Sequence, residues 1–284
     1  MYSDISIAII GSINLDIVAT VREFPRPGET VTNAIVHRYG GGKGANQALA
    51  AHRLGAQVFM LGCVGDDPMA EEALAALRRE GVNLDHCRTL KNTSTGLALI
   101  VVNAAGENQI VVAPGANAAF SAQQLTLPET DAIIAQLEVP TDTILHAVAH
   151  SDSFFCLNAA PAKPVPKDLL ERADLLVVNE IEAQALGANL DGYKGLLATT
   201  YGSKGAVITQ NGAEIASALP PQVDVVDTTG AGDAFTAALT VALVSGLPTQ
   251  TALQQACVAG ALTATRMGAQ SSPKLSEFNL DQEI

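Results

Sequence analysis

Basic residues are scarce in this chain: 16 Lys and Arg stand against 29 Asp and Glu, for a formal net charge of −13. A field of that sign repels phosphate backbones and anionic headgroups, which excludes nucleic acid and membrane surfaces as natural partners. It does not exclude a small phosphorylated ligand held by donors of its own. Cysteine is equally sparse, and Cys63, Cys87, Cys156 and Cys257 form no C-x-x-C pair. That spacing argues against a zinc site and a disulfide framework, so the four read as small reduced core residues. No apolar run reaches the roughly 18 residues of a membrane helix. The opening MYSDISIAIIGS lacks a basic n-region and meets Gly11 after a short apolar run, so it reads as a first strand and not a signal peptide, and a cytoplasmic protein is expected. Fixed-period repeats, charge blocks and low-complexity tracts are missing too. A length of 284 residues suits one large α/β domain or two small ones.

What the chain does contain is an alternation of two patterns. ISIAII, QVFMLGCVG after Ala56, DAIIAQLEV from Asp131 and DLLVVNE from Asp174 are short apolar runs, several too continuous to have a wet face, as in buried parallel strands. Helix-like stretches lie between them at Gly44 to Leu54, Met69 to Glu80, Lys167 to Arg172, Ala231 to Ser245 and Thr249 to Arg266. Alternating strand and helix predicts a doubly wound α/β sheet. Asp16 to Tyr39 and Thr95 to Val112 break the rhythm with strand-like runs and no helices, and AAGEN at Ala104 to Asn108 is a hairpin signal. These two segments predict a small antiparallel flap over one edge of the sheet, able to close on a ligand. The Pro-rich AAPAKPVP, Ala159 to Pro166, reads as a surface loop.

Chemistry concentrates in a few motifs. VVDTTGAGDAF, Val225 to Phe235, follows a strand and opens an apolar helix, so its backbone N–H groups form an anion cradle. Asp233 falls in the first turn, where a carboxylate can take a proton from an attacking hydroxyl or serve as an ordinary N-terminal helix acid. The motif lacks the third glycine of a dinucleotide fingerprint, which excludes a dinucleotide-dependent oxidoreductase. Gly40-Gly41-Gly42-Lys43-Gly44-Ala45-Asn46 is no P-loop either, since Gly44 stands where a Ser or Thr would hold Mg²⁺. Lys43 and Asn46 on a helix start suit a polyhydroxyl ligand, or a bare βα turn. Asn14 and Asp16, on alternate positions just beyond the first strand, lie at the carboxyl end of the sheet, where open α/β sheets bind ligands. A carboxylate there can accept from two vicinal hydroxyls, although N-x-D also forms turns. Asn179 and Glu182 repeat the geometry, to orient the waters of a Mg²⁺ ion or to cap a helix. His146 and His150 share a helix face in HAVAH but lack the Glu of a zincin motif, and read as surface residues.

Taken together, these residues resemble the ribokinase branch of the PfkB carbohydrate kinase family along essentially the whole chain. The likeness rests on GSINLD, PRPGETV from Pro25, GGGKGANQA from Gly40, STGLALIVVNAAGEN from Ser94, GANA from Gly115, QLE ending at Glu138, LNAAPA from Leu157, NEIEA, TYGSKG and DTTGAGDAF. It implies a single ribokinase-like domain over residues 1–284: a three-layer αβα doubly wound, mostly parallel sheet with a small antiparallel lid from two insertions, about 14–40 and 94–114. The implied reaction moves the γ-phosphoryl group of ATP to a primary sugar hydroxyl, in ribokinases the 5-hydroxyl of ribose. A nucleoside, deoxyribose or hexose-type sugar is the alternative acceptor, and a sugar-binding protein without catalysis the alternative class. Small apolar lid residues such as Ala98, Ile100 and Val112 suit a compact pentose.

By the same resemblance Asp233 is the catalytic base, and Gly230, Ala231, Gly232 and Asp233 build the cradle for the transferring group. Sugar contacts fall to Asn14, Asp16, Gly42, Lys43, Asn46, Glu138 and Asp233. ATP falls along Asn179 and the loop Thr200, Tyr201, Gly202, Ser203, Lys204, Gly205, together with Gly232 and Asp233. Mg²⁺ is implied through water at Asn179 and Glu182, and a K⁺ activator among Asp227, Thr229, Thr263, Arg266, Gly268 and Ser272, mostly through carbonyls. A homodimer through the lid is implied as well. The chain departs from the family in a short GANLDGYKG, Gly187 to Gly195, in a short stretch Val139 to Ser153, and in Cys257, where an Asn often lies near the adenine.

Overall fold

The computed structural model describes Tyr2 and residues 4–278. In chain order its strands and helices are β1 (Ser6–Ile10), β2 (Asn14–Thr20), β3 (Ile35–Gly41), α1 (Lys43–Arg53), β4 (Gln57–Leu61), β5 (Cys63–Gly65), α2 (Pro68–Glu80), β6 (Arg88–Leu90), β7 (Gly96–Val102) and β8 (Asn108–Ala113). There follow β9 (Ala132–Gln136), α3 (Thr141–Val148), β10 (Phe154–Asn158), α4 (Lys167–Arg172), β11 (Leu175–Asn179), α5 (Glu180–Leu186), β12 (Leu196–Thr200), β13 (Ala206–Gln210), β14 (Ala213–Ala218), α6 (Ala231–Val244) and α7 (Thr249–Thr263). Local chemistry sets several of these boundaries. Asp67 caps α2 by accepting from the Ala70 amide at 3.1 Å, Pro68 occupies the first helical position, and Gly81 ends the helix at φ 93°.

The large sheet runs β14-β13-β12-β11-β10-β9-β1-β4, parallel from β12 to β4 and antiparallel at β12–β13 and β13–β14. Successive side chains of one strand enter different cores. Ile7 and Ile9 pack with α1, α2, α6 and α7 on one face, while Ala8 and Ile10 pack with α3, α4 and α5 on the other. Both faces are therefore covered, which is why these strands read as unbroken apolar runs. The result is the expected αβα sandwich.

Some boundaries differ from the sequence reading. QVFMLGCVG splits into β4 and β5, which join different sheets. The last helix ends at Thr263, before Arg266, and helix α3, which carries the His146 end of the HAVAH pair, lies in the stretch read as shortened. His146 and His150 are exposed, their rings 4.7 Å apart. All four cysteines are free.

A second sheet, β3-β2-β7-β8, is built from the two segments expected to form the lid. Its outer pairings, β2–β3 and β7–β8, are antiparallel as expected, but β2 and β7 pair in parallel from Asn14↔Gly96 to Thr20↔Val102. The lid is thus mixed and not wholly antiparallel. Each insertion folds back on itself, and the two then join through strands that leave the main domain in the same direction. Ile35, Val36, Leu99, Ile110, Val111 and Val112 are exposed on it.

Ile134 lies in the middle of the large sheet between β1 and β10 and is 0% exposed. Ile134→Ala is expected to lower unfolding free energy by about 3 kcal/mol in chemical denaturation, with the midpoint shifted and the denaturant slope unchanged.

Candidate active site

The carboxyl ends of the parallel strands carry the polar groups. Ser12 and Asn14 follow β1, Gln136 ends β9 with Glu138 just beyond, Asn158 ends β10, Asn179 ends β11 and Thr200 ends β12. This is the edge at which an open α/β sheet presents side chains to a ligand. Helices α1 and α6 start there as well, so two sets of helix N-terminal amides converge on the same space.

Asp233, in the first turn of α6, is 6% exposed and held by two amides from α1. Asn46 Nδ2 donates to Oδ2 at 2.8 Å and Gln47 Nε2 donates to Oδ1 at 2.9 Å. Gln47 is fixed in turn, since it also donates to Asn158 Oδ1 and its own Oε1 accepts from Gln136 Nε2. Burial raises the Asp233 pKa above the ordinary carboxylate value, opposed by Lys43 and by the two amide hydrogen bonds. The nearby Asp233 carboxylate raises the Lys43 pKa above its usual value against the effect of burial, with Glu138 and Glu182 adding to it. A base strengthened by burial thus stands beside an ammonium group held in its charged form.

The other expected sugar residues gather around this pair. Glu138 accepts from Ser12 Oγ and from the Lys43 amide at 3.2 Å. Asn14 Oδ1 accepts from Asn117 Nδ2 at 2.7 Å, and Asn117 also bridges the amide and carbonyl of Ile13. Asp16 lies in β2 opposite Tyr39 of β3. Its carboxylate presses so closely on Gly41 that a Cβ there would stand 2.1 Å from Asp16 Oδ2, which makes glycine a requirement. Burial raises the Asp16 pKa to about 7, with Glu138 and Asp233 adding repulsion. Gln47, Asn117, Gln136 and Asn158 were not among the residues expected at the site. The signal for Gln136 and Asn158 was an amide at the end of an apolar strand, for Gln47 one on the buried side of an alanine-rich helix, and for Asn117 its place in GANA from Gly115.

Beyond Asp233 the space opens into a cleft of about 980 Å³. Asn179, Thr200, Gly202, Ser203, Gly205, Ala231, Gly232 and Cys257 line it; Tyr201 and Lys204 belong to the same loop but do not line it. Its remaining wall is largely apolar, with Pro220, Pro221, Val223, Val225 and Phe235. At the start of α6 the amide of Ala231 donates to the Thr228 carbonyl at 3.2 Å. Among the described residues the amides of Gly232 and Asp233 have no acceptor, so they are the free donors of the cradle.

Asn179 and Glu182 form a capping box: Asn179 Oδ1 accepts from the Glu182 amide at 2.9 Å, and Glu182 Oε2 accepts from the Asn179 amide at 2.8 Å. One carboxylate with one oxygen spent on a cap does not make an all-protein Mg²⁺ site, and among the described residues no group of three His, Cys, Asp or Glu is placed to hold a metal ion. The pair fits a hydrated ion carried by nucleotide phosphates. Asp227 accepts from the Thr229 amide and hydroxyl and from the Gly268 amide, while the Thr263 carbonyl accepts from the Arg266 amide at 3.2 Å. Asp227, Thr229 and Gly268 are thus joined through one carboxylate, and Thr263 and Arg266 through one carbonyl. The Ser272 carbonyl and hydroxyl, however, both accept from Arg53, and the Arg266 side chain pairs with Glu277.

The folded pKa of Asp16 lies above the ordinary value of 3.8, so between that value and about 7 the folded chain keeps a proton the unfolded chain has lost. Stability contributed by Asp16 therefore falls as pH rises through that window. Asp16→Asn is expected to flatten this fall in thermal midpoint across the window; a slope identical to that of the unsubstituted protein would contradict the assignment.

Residues 4–275 match the family described as pfkB family carbohydrate kinase. The chain is 38% identical over 279 residues to the ribokinase of Bacillus subtilis, covering 93% of this chain and 94% of that protein. It superimposes on the crystal structure of ribokinase from Thermotoga maritima with a TM-score of 0.88 at 30% identity, covering 96% of this chain and 97% of that one. On the structure of Arabidopsis thaliana ribokinase complexed with ribose and ATP the TM-score is 0.85 at 28% identity, covering 96% of each. No helix among the described residues is long and apolar enough to cross a membrane. An anion cradle, a buried carboxylate and a polar cage at the carboxyl edge of such a sheet, carried on this sequence, identify the chain as a member of the pfkB family of carbohydrate kinases.

Proposed function

We propose that this kinase transfers the γ-phosphoryl group of ATP to the 5-hydroxyl of D-ribose, giving ribose 5-phosphate and ADP. The observation that carries the reading is Asp233. It is a buried carboxylate fixed by Asn46 and Gln47 at one side of the free Gly232 and Asp233 amides. A sugar hydroxyl placed against it loses its proton to Asp233 as its oxygen attacks the γ-phosphorus. The bond from phosphorus to the ADP oxygen breaks, and the two amides donate to the phosphoryl oxygens as charge redistributes.

The cage matches a compact polyol in its chemistry. Asn14, Asp16 and Glu138 supply acceptors for hydroxyl donors, Lys43 supplies a cation, and Asn46 Oδ1 is a buried acceptor with no protein partner. Asp16 binds vicinal hydroxyls best as a carboxylate, so its ionisation near neutrality accompanies sugar binding. Gly42, on the strand-to-helix turn, lets the backbone approach the sugar. The ribose and ATP bound by the Arabidopsis relative support the same pairing of ligands.

ATP lies along the cleft lined by Asn179, Thr200, Gly202, Ser203 and Gly205, with its base toward Cys257 and the apolar wall. Asn179 and Glu182 would hold, through water, a Mg²⁺ ion brought by the nucleotide, which would supply neutralisation of phosphate charge. K⁺ beside Asp227, Thr229, Thr263 and Gly268 would order the loop leading into the cradle. The exposed apolar residues of the lid support a homodimer that covers them. Four free thiols suit the reducing cytoplasm.

An ADP-release assay with MgATP against ribose, deoxyribose, fructose and nucleosides, each with and without potassium, tests the reading. Ribose-dependent release is expected, stimulated by potassium; turnover of a nucleoside alone would reassign the acceptor, and none with any acceptor would overturn catalysis. Asp233→Asn is expected to retain ribose binding by calorimetry while turnover falls roughly 10²- to 10⁴-fold. A variant turning over at the unsubstituted rate would remove Asp233 from the chemistry.

A further inference from the structure

Helix α1 touches the reaction centre at its start through Asn46 and Gln47, and its last residue, Arg53, reaches a different segment. The guanidinium forks. Nε and Nη2 donate to the two carboxylate oxygens of Glu80, at the end of α2, at 2.9 and 2.6 Å. Nη1 donates to the carbonyls of Gln270 and Ser272, both at 2.8 Å, and to Ser272 Oγ at 3.2 Å. The ion pair is largely buried, with the two side chains 13% and 19% exposed, and Arg53 holds the Glu80 carboxyl below its usual pKa. A basic residue in the last turn of a helix ordinarily serves that helix's own carbonyls. This one is committed elsewhere, to a loop 217 residues further along the chain.

That loop supports the cradle. Gly230, the residue before α6, has φ 80° and packs so tightly on Ala269 that a Cβ would stand 2.2 Å from the Ala269 carbonyl oxygen. Gly268 donates its amide to Asp227 Oδ2 at 2.9 Å, and Asp227 Oδ1 accepts from the Thr229 amide and hydroxyl. The segment 268–272 is therefore bound to both residues that flank the cradle's entry turn. Asn46 and Arg53 are seven residues, two helical turns, apart and lie on one side of α1. One rigid helix thus grips the carboxylate of Asp233 at one end and the loop beneath the cradle amides at the other.

We infer that Arg53, oriented by Glu80, is a positioning residue for phosphoryl transfer: it sets the distance between the base and the free amides of Gly232 and Asp233 by clamping the Gln270–Ser272 backbone. It touches neither sugar nor nucleotide. Lysine cannot reproduce the clamp, because a single ammonium lacks the planar fork that serves a carboxylate and two carbonyls together. This inference rests on the proposed sugar-kinase reading.

The test compares the unsubstituted enzyme with Arg53→Ala, Arg53→Lys and Glu80→Gln, measuring kcat, ribose KM, calorimetric ribose affinity and thermal midpoint. For Arg53→Ala, kcat is expected to fall roughly 10- to 100-fold while ribose affinity stays within about twofold, and millimolar methylguanidinium restores part of kcat where ethylammonium does not. Arg53→Lys is expected to show the same split in milder form, and it carries the test if Arg53→Ala does not fold. Equal kcat in the variants, or kcat and ribose affinity falling together with the thermal midpoint and no rescue, overturns the inference alone. An unsubstituted protein that turns over no sugar overturns the kinase reading and this inference with it.

Discussion

The burial of one carboxylate organises this molecule. Asp233 is removed from water at the start of an apolar helix, and an ion there is costly unless its oxygens are occupied. Asn46 and Gln47 occupy them, so α1 must start where α6 starts. Gln47 must in turn be steadied by Gln136 and Asn158, which belong to adjacent strands. A base with a raised proton affinity is thereby held in one place by two helices and two strands.

Electrostatics at the site work by opposition. Glu138, Asp233 and Glu182 crowd around a single ammonium, that of Lys43, and Asp16 stands within the field of Glu138 and Asp233. Burial, and after it the negative charge of Glu138 and Asp233, raises the proton affinity of Asp16 until it titrates near neutrality. A ligand with many hydroxyl donors relieves that crowding by supplying partners to the carboxylates, whereas an anionic sugar would add to it. The cradle amides, on the other side of Asp233, offer positive ends of peptide dipoles to the phosphate. Polyol and phosphate sides are thus distinguished by local donors and acceptors, independently of the overall charge.

Much of this was legible in the residues alone. The buried strands announced themselves as continuous apolar runs because the sheet is covered on both faces, and α2 was legible at Met69 to Glu80, with its Asp67 cap and Pro68 start seen only in the structure. Asp233 in the first turn after G-A-G read equally as an ordinary N-terminal helix acid, and only the family resemblance of the whole motif singled it out. The direction of the β2–β7 pairing was not, since alternation along a strand is the same whichever way its neighbour runs. Gln47, Gln136 and Asn158 were hidden for a related reason. A lone amide in an apolar segment gains meaning only when register brings it to a partner, and these partners lie 89 and 111 residues from Gln47. The Ala231 amide could be assigned to Thr228 only once the entry turn had a conformation.

The parallel seam of the lid has a consequence for synthesis. β2 and β3 meet soon after they are made, but the β2 edge that ends up beside β7 has no partner until the chain has extended from Asn14 past Gly96. A nascent chain emerging from the ribosome therefore carries a hairpin with one bare, apolar margin through the whole production of α1, β4 and α2. Contacts of such long sequence separation form late and slowly. Asp16, on that margin, acquires its final surroundings only when the second insertion arrives, so a truncated or prematurely released chain has the aggregation-prone strand without the sugar cage it serves to build.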